Sequence, residues 1–331
     1  MSAKRPLVAL FLAVAVLVPT PAMAWADHDL LTREILRPVT WLNAYRHIKV
    51  TKWTYGEVEK GPISPDFKPV YIDKLVGETT NAREILIRYV DEPDWGLDEK
   101  LELSPLQTLA GGSKGYRHQC YHFLNGALEV GEAPKRAKAY YELARIAFRK
   151  HDPYWGFRYL ARSIHYMEDM GQPYHTNPMR LSYLWDAKFN LKSLTTLCSN
   201  MHYYYEFFVS YQLRKQAAAG KGKWIGAIQD AEPGDVFDPE AAASALGDFS
   251  SENSGKLLEA CDHFWPKRVK STKEIRAIRP SDLELVEPPP SYATIDDVTT
   301  LQLHVTSKMV RGLMSLAKRD VLVVPTSDEE E

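Results

Sequence analysis

Trp155-Gly-Phe-Arg-Tyr-Leu-Ala-Arg-Ser-Ile-His165-Tyr-Met-Glu-Asp169-Met-Gly-Gln-Pro-Tyr-His175 is the stretch on which the reading of this chain turns. Apolar residues recur at helical spacing from about Trp155 to Met170, and Gly171 and Pro173 end the run. His165 and Asp169 are four apart, so both project from one helix face about a turn from each other. Where the helix stops, the chain can bend and return His175 to that face. Imidazole and carboxylate at this spacing suit a zinc ion, bound at roughly 2.0–2.2 Å. A lone His–Asp pair on a helix is equally a buried hydrogen bond, so the window needs support from elsewhere.

Support comes from Met201-His-Tyr-Tyr-Tyr-Glu-Phe-Phe-Val209, where His202 and Glu206 repeat the spacing on another predicted helix, from about Leu184 to Ala219. Two facing helices, each turning a His/carboxylate pair inward, are how metal sites are built in helical bundles. Further outward, Pro134 opens a helix with Ala137, Tyr140, Tyr141, Leu143, Ala144 and Ala147 at helical spacing. Others are expected over roughly Glu252 to Val269 and Val298 to Lys318. The longer connections are Gly56 to Asp73, Asp91 to Tyr116 and Ile275 to Thr294. Alternating strand patterns are scarce, and Val321 to Val324 is only a short apolar run. The expectation is one all-α domain over residues 25–319, a multi-helix bundle with a metal cluster between its central helices.

The chain's start is read as an export signal. Lys4 and Arg5 precede an apolar run from Leu7 to Val18, and Ala22-Met23-Ala24 supplies a small–x–small cleavage pattern. Residues 1–24 are therefore expected to be removed, and the protein to be periplasmic or secreted. Cleavage would leave a free α-amine on Trp25, with His28 three residues on. Such an amine titrates near ~7.7–8.0 and serves as a nitrogen ligand once a metal displaces its proton. At the other end, Asp328-Glu-Glu-Glu331 closes a stretch, residues 320–331, read as a disordered acidic tail. With a formal net charge of −2 and no basic stripe, the chain lacks the electrostatic footprint of a general nucleic-acid binder. Cys120, Cys198 and Cys261 are odd in number and lack a C-x-x-C, so a cysteine-based zinc motif is excluded. No serine sits in a nucleophile elbow. Gly111-Gly-Ser-Lys-Gly115 lacks the spacing of a phosphate-binding loop and reads as a flexible connection.

Taken together these residues resemble the zinc-dependent phospholipase C family and its relatives, the fungal-type zinc single-strand nucleases. Members of that superfamily begin their mature chain with a tryptophan whose amine and carbonyl bind one of three zincs. Their signature, His-x-x-x-Asp-x-x-x-x-x-His followed by His-x-x-x-Glu or His-x-x-x-Asp, is similar to His165…Asp169…His175 and His202…Glu206 here. Trp25 and His28 would carry the N-terminal ligands. A family histidine ahead of the central helices resembles His118, with His122 as the alternate, and a family aspartate resembles Asp94, with Asp91 as the alternate. The motifs cover Trp25 to Val209; Thr176 to Met201 and Lys221 to Asp297 have no counterpart in the pattern.

The resemblance implies about three Zn2+ per chain. Asp94, His118, His165 and Asp169 would hold one, and Trp25 and His28 a second that Asp169 bridges. His175, His202 and Glu206 would hold the third. It implies hydrolysis of a phosphodiester by metal-activated water, with either Asp94 as proton acceptor or a metal-bound hydroxide attacking directly, because a bridging Asp169 has no free oxygen. The leading expectation is a phospholipase C-like enzyme meeting phospholipid at a membrane surface, which Glu206 favours, since the nucleases tend to carry aspartate there. A single-strand nuclease or 3′-nucleotidase, with Trp95 as a stacking face, and a non-catalytic zinc-binding protein are the alternatives.

Overall fold

The computed structural model describes residues 27–60, 75–97, 112–123, 128–275, 277–285 and 288–322. The expected leader, Trp25, and residues 323–331 of the expected tail lie outside these. In chain order the elements begin with α1 (His28–Leu36), β1 (Ile48–Lys49), α2 (Gly56–Lys60), β2 (Thr79–Thr80) and α3 (Ala82–Tyr89). A 3-10 turn (Glu92–Trp95), α4 (Gly112–His118), β3 (Cys120–Phe123) and β4 (Leu128–Gly131) follow. Then come α5 (Ala133–Arg149), α6 (Pro153–Met170), α7 (Pro173–Thr176), α8 (Ser182–Asp186) and α9 (Leu191–Ala219). The chain ends in α10 (Lys223–Gln229), α11 (Pro239–Phe264) and α12 (Pro290–Leu322). This is the all-α multi-helix bundle that the spacing predicts. Among the described residues no helix is long and apolar enough to cross a membrane.

The centre of the bundle is α6. Asp152 caps it by accepting from the Trp155 amide at 3.3 Å, and Pro153 occupies the first turn, where its missing N–H costs nothing. From Tyr154 to Met170 every residue of α6 is buried. A helix buried all round needs neighbours on every side, and α5, α3, α11 and α12 supply them. Two glycines permit the closest approaches. A Cβ on Gly156 would lie 2.4 Å from the Phe148 ring of α5, and one on Gly171 would lie 1.9 Å from Thr306 Oγ1 of α12. The hydrocarbon core runs through all of these helices, and burial of that apolar surface is the main term favouring the fold.

Several boundaries differ from the sequence expectation, each for a local reason. The helix expected from Leu184 is broken, because Lys188 and Phe189 adopt left-handed φ of 52° and 57°. Asn190 then caps α9 by accepting from Ser193 N at 2.9 Å. The helix expected from Glu252 begins at Pro239, where Asp238 accepts from Glu240 N and Ala241 N. It stops at Phe264, ahead of Pro266. The last helix starts at Pro290 and runs on to Leu322, taking in part of the apolar run and the first residues of the expected tail. Two small antiparallel two-stranded sheets were not expected: β1 pairs with β2 (Ile48 opposite Thr80), and β3 with β4 (His122 opposite Glu129).

Candidate metal centre

The C-terminal end of α6 brings the sequence motifs into one place. Helical periodicity aims His165 and Asp169 the same way, and α7 starts at once because Gln172 caps it with its side-chain oxygen. That turn swings His175 back under Asp169, as expected. Long helix α9 passes alongside and contributes His202 and Glu206. The turn carrying Asp94 is held from below: Arg158 and Arg162 of α6 both grip Glu92, with Arg158 Nε to Glu92 Oε2 at 3.1 Å and Arg162 Nε to the same oxygen at 2.9 Å. His118 is the last residue of α4, and the β3–β4 hairpin follows it.

Asp169 is the hub. Its Oδ2 lies 3.0 Å from His118 Nδ1 and 3.5 Å from His165 Nε2, and those two ring nitrogens are 2.9 Å apart. Its Oδ1 lies 3.4 Å from His175 Nδ1 and 3.8 Å from His28 Nε2. Beyond it, His175 Nε2 and His202 Nε2 approach Glu206 Oε1 at 3.6 and 2.7 Å. Asp94 Oδ1 lies 3.9 Å from His118 Nδ1. Four-coordinate bonds of roughly 2.0–2.2 Å separate neighbouring ligand atoms by about 3.3–3.6 Å; the His165–Asp169 and His175–Glu206 spacings fall in that range, the His118 and His202 contacts are shorter, at hydrogen-bond length, and those of His28 and Asp94 are slightly longer. Three groups of donor atoms are thus placed to hold metal ions: His28, His165 and Asp169; Asp94, His118 and His165; and His175, His202 and Glu206. All these residues are buried except Asp94, which is part-exposed at the rim.

The hydrogen-bond pattern suits ligation. His175 Nδ1 donates to the His118 carbonyl at 2.6 Å, leaving Nε2 with its lone pair towards Glu206. His28 Nδ1 donates to Glu168 Oε2 at 2.6 Å, leaving Nε2 towards Asp169. A ligating imidazole ordinarily spends its other nitrogen in this way. His28 Nε2, His165 Nδ1, Asp169 Oδ1 and Glu206 Oε2 are buried with no hydrogen-bond partner, a costly condition that a bound cation would relieve. Burial, and then the charges of His28, His118 and Lys114, push the His165 pKa well below its ordinary value, which keeps the ring neutral. Burial raises Glu206 to about 8, outweighing the opposing effects of nearby His175 and of the hydrogen bond from Gln172. Burial opposes protonation of His28, yet the hydrogen bond and charge of Glu168 outweigh it and lift His28 to about 10. Glu168 itself rises to about 7 through burial.

Of the residues singled out from sequence, His28, Asp94, His118, His165, Asp169, His175, His202 and Glu206 all meet here, while Trp25 lies outside the described residues. Between the alternates, Asp94 and His118 belong to the donor groups. Asp91 precedes the 3-10 turn, its carboxyl raised to about 6 by burial, and His122 sits on β3, four residues along from His118. Sequence reasoning passed over three neighbours. Lys114 approaches Asp94 Oδ1 at 3.2 Å and donates to the Asp94 carbonyl at 3.1 Å. Gln172 Nε2 donates to Glu206 Oε1 at 3.2 Å, and Glu168 holds His28. Thr32, four residues after His28, was the available sign of a second buried contact on that face.

No protein-family model matches this chain, and no curated protein matches it. The geometry above is therefore what defines the class: a helical protein with a cluster of buried sites fit for metal ions.

Proposed function

We propose that this chain is an exported zinc-dependent phosphodiester hydrolase of the phospholipase C type. The observation that carries the reading is the convergence of the three donor groups around Asp169, with buried ligand atoms left without hydrogen-bond partners. The donors are imidazole and carboxylate, with no thiolate among them, a set that suits zinc. Asp94, His118, His165 and Asp169 would hold one ion, His175, His202 and Glu206 another. His28 and Asp169, with the Trp25 amine freed by cleavage after Ala24, would hold the third. Bound there, clustered zincs supply Lewis acidity and lower the pKa of a water.

The chain's own residues account for the rest. Asp169 is committed on both oxygens, so it holds the cluster together and is unavailable as a base. Asp94, 17% exposed at the rim, is the group positioned to take a proton from an attacking water. Lys114 beside it sets a positive charge where an anionic phosphoryl oxygen would arrive. A phospholipid is the favoured substrate, with glutamate at position 206 and an acidic net charge both leaning away from a polynucleotide. One observation favours a second reading, the single-strand nuclease: Trp95, next to Asp94, is 62% exposed and free to stack on a base.

The test is elemental analysis and N-terminal sequencing of the mature protein, followed by paired assays on phosphatidylcholine and single-stranded DNA. Close to three zincs, Trp25 at the N-terminus and faster turnover of the lipid are expected. A correctly cleaved, folded sample without zinc would sink the proposal, and preferential cleavage of DNA would transfer it to the nuclease reading.

A further inference from the structure

Glu168 is fully buried and adjacent in sequence to the hub aspartate, yet it faces a different partner, because successive helix residues lie about 100° apart. Its Oε2 accepts from His28 Nδ1 at 2.6 Å and its Oε1 accepts from Thr32 Oγ1 at 2.7 Å. His28 and Thr32 are four apart on α1, on one face, and both are fully buried. One carboxylate of the central helix therefore grips two side chains of the first helix. Burying a carboxylate is costly unless its oxygens are well bonded, and here each oxygen accepts a short hydrogen bond.

We propose that Glu168, seconded by Thr32, is a positioning residue that makes His28 a metal ligand and seats the N-terminal helix on the cluster. The inference rests on the metal reading above and deepens one of its three sites. Glu168 engages Nδ1, so that Nε2, 3.8 Å from Asp169 Oδ1, is the nitrogen left to a metal ion. It also sets the plane of the ring and, by pulling on the Nδ1 proton, makes Nε2 the stronger donor. The group formed by His175, His202 and Glu206 is oriented by other partners, the His118 carbonyl and Gln172. Loss of Glu168 should therefore empty one site and spare that one.

The experiment measures zinc per chain against free zinc for the stripped and reloaded mature protein. Wild type is expected to hold about three ions. Glu168→Leu, which removes both acceptors, should lose one ion and keep the others. Glu168→Gln keeps the shape and one acceptor oxygen, so it should retain three ions with the weakest site loosened about 10–100-fold. Thr32→Val should move the same site in the same direction by less. Should Glu168→Leu not fold, Glu168→Gln carries the test. Wild-type zinc binding at every site in Glu168→Gln would overturn the inference while leaving the metal reading intact. Equal weakening of all sites would overturn it in favour of a merely structural role. A wild-type protein that binds no zinc would remove both.

Discussion

The two ends of α6 bury charge in opposite ways. At the N-terminal end, Arg158 and Arg162 meet Glu92 and Glu59, two cations against two anions, with Arg162 Nη2 at 2.8 Å from Glu92 Oε2 and Nη1 at 3.8 Å from Glu59 Oε1. Tyr159 donates to Glu59 at 2.6 Å. At the C-terminal end, Glu168, Asp169 and Glu206 are surrounded by imidazoles, and Lys114 reaches only the rim at Asp94. The first end balances its charge from within the chain. The second gathers carboxylates and imidazoles with buried ligand atoms still unpartnered. One helix thus separates a structural ion network from a site that calls for positive charge from outside.

The largest expected effect breaks the second end. Asp169→Asn keeps the volume but removes the charge, and turns one oxygen into an NH2 that points hydrogens at its histidine neighbours. Hydrolysis should fall to background, and at least one zinc per chain should be lost, measured by turnover and elemental analysis of the same sample. Retained zinc with retained activity would mean that Asp169 is an ordinary buried carboxylate and that the two ends do not differ in kind.

Breaking the first end should change stability and leave metal alone. Arg162→Met leaves Glu92 and Glu59 buried with less compensation, at a cost of about 3–5 kcal/mol. Urea unfolding of the zinc-loaded protein should show this as a lower midpoint, with zinc per folded chain unchanged. A loss of zinc in proportion to the loss of stability would show the network to be part of the site. Since Arg162 holds Glu92, and Glu92 anchors the turn bearing Asp94, the Asp94 site is where any such coupling should first appear.

How far the sequence could be read follows the same division. His165 with Asp169, and His202 with Glu206, were legible because the helical period alone fixes which residues share a face. His175 was legible because Gly171 and Pro173 leave the chain one place to turn. Asp94 against Asp91 and His118 against His122 were left open, because both lie beside connections whose placement is tertiary. The Arg158–Glu92–Arg162 clamp that sets Asp94 joins residues 66 and 70 positions apart. Glu168 had no periodic partner to betray it, since its contact with His28 spans 140 residues. The α8–α9 break was hidden for another reason: Lys188 and Phe189 take left-handed backbone conformations that their side chains do not advertise.

The smallest expected effect is a slope. In the metal-free protein, Glu206 (about 8), Glu168 (about 7) and His28 (about 10) all titrate above their ordinary values of 4.5, 4.5 and 6.5. Between pH 6.5 and 8 the folded state therefore holds more protons than the unfolded state, and stability must fall as pH rises. The stabilisation is complete below the unfolded pKa values and is lost through the folded ones. His165 acts in the other direction below about pH 7.5, where the unfolded ring begins to take up protons, but it offsets only part of the excess held by the other three groups. The expected slope is about 1.4 kcal/mol per pH unit for each extra proton held, read from urea midpoints in chelator. At fixed free zinc the trend should reverse, because the ion takes the places of those protons and binds more tightly as they leave. In the buried ion network at the other end of α6, burial raises Glu92 but the two arginines outweigh it and hold it below its ordinary value, so it stays charged across this range. It should add nothing to the slope, so Arg162→Met should shift the whole curve without tilting it, and a tilt in that variant would show the two ends of the helix to be one electrostatic unit.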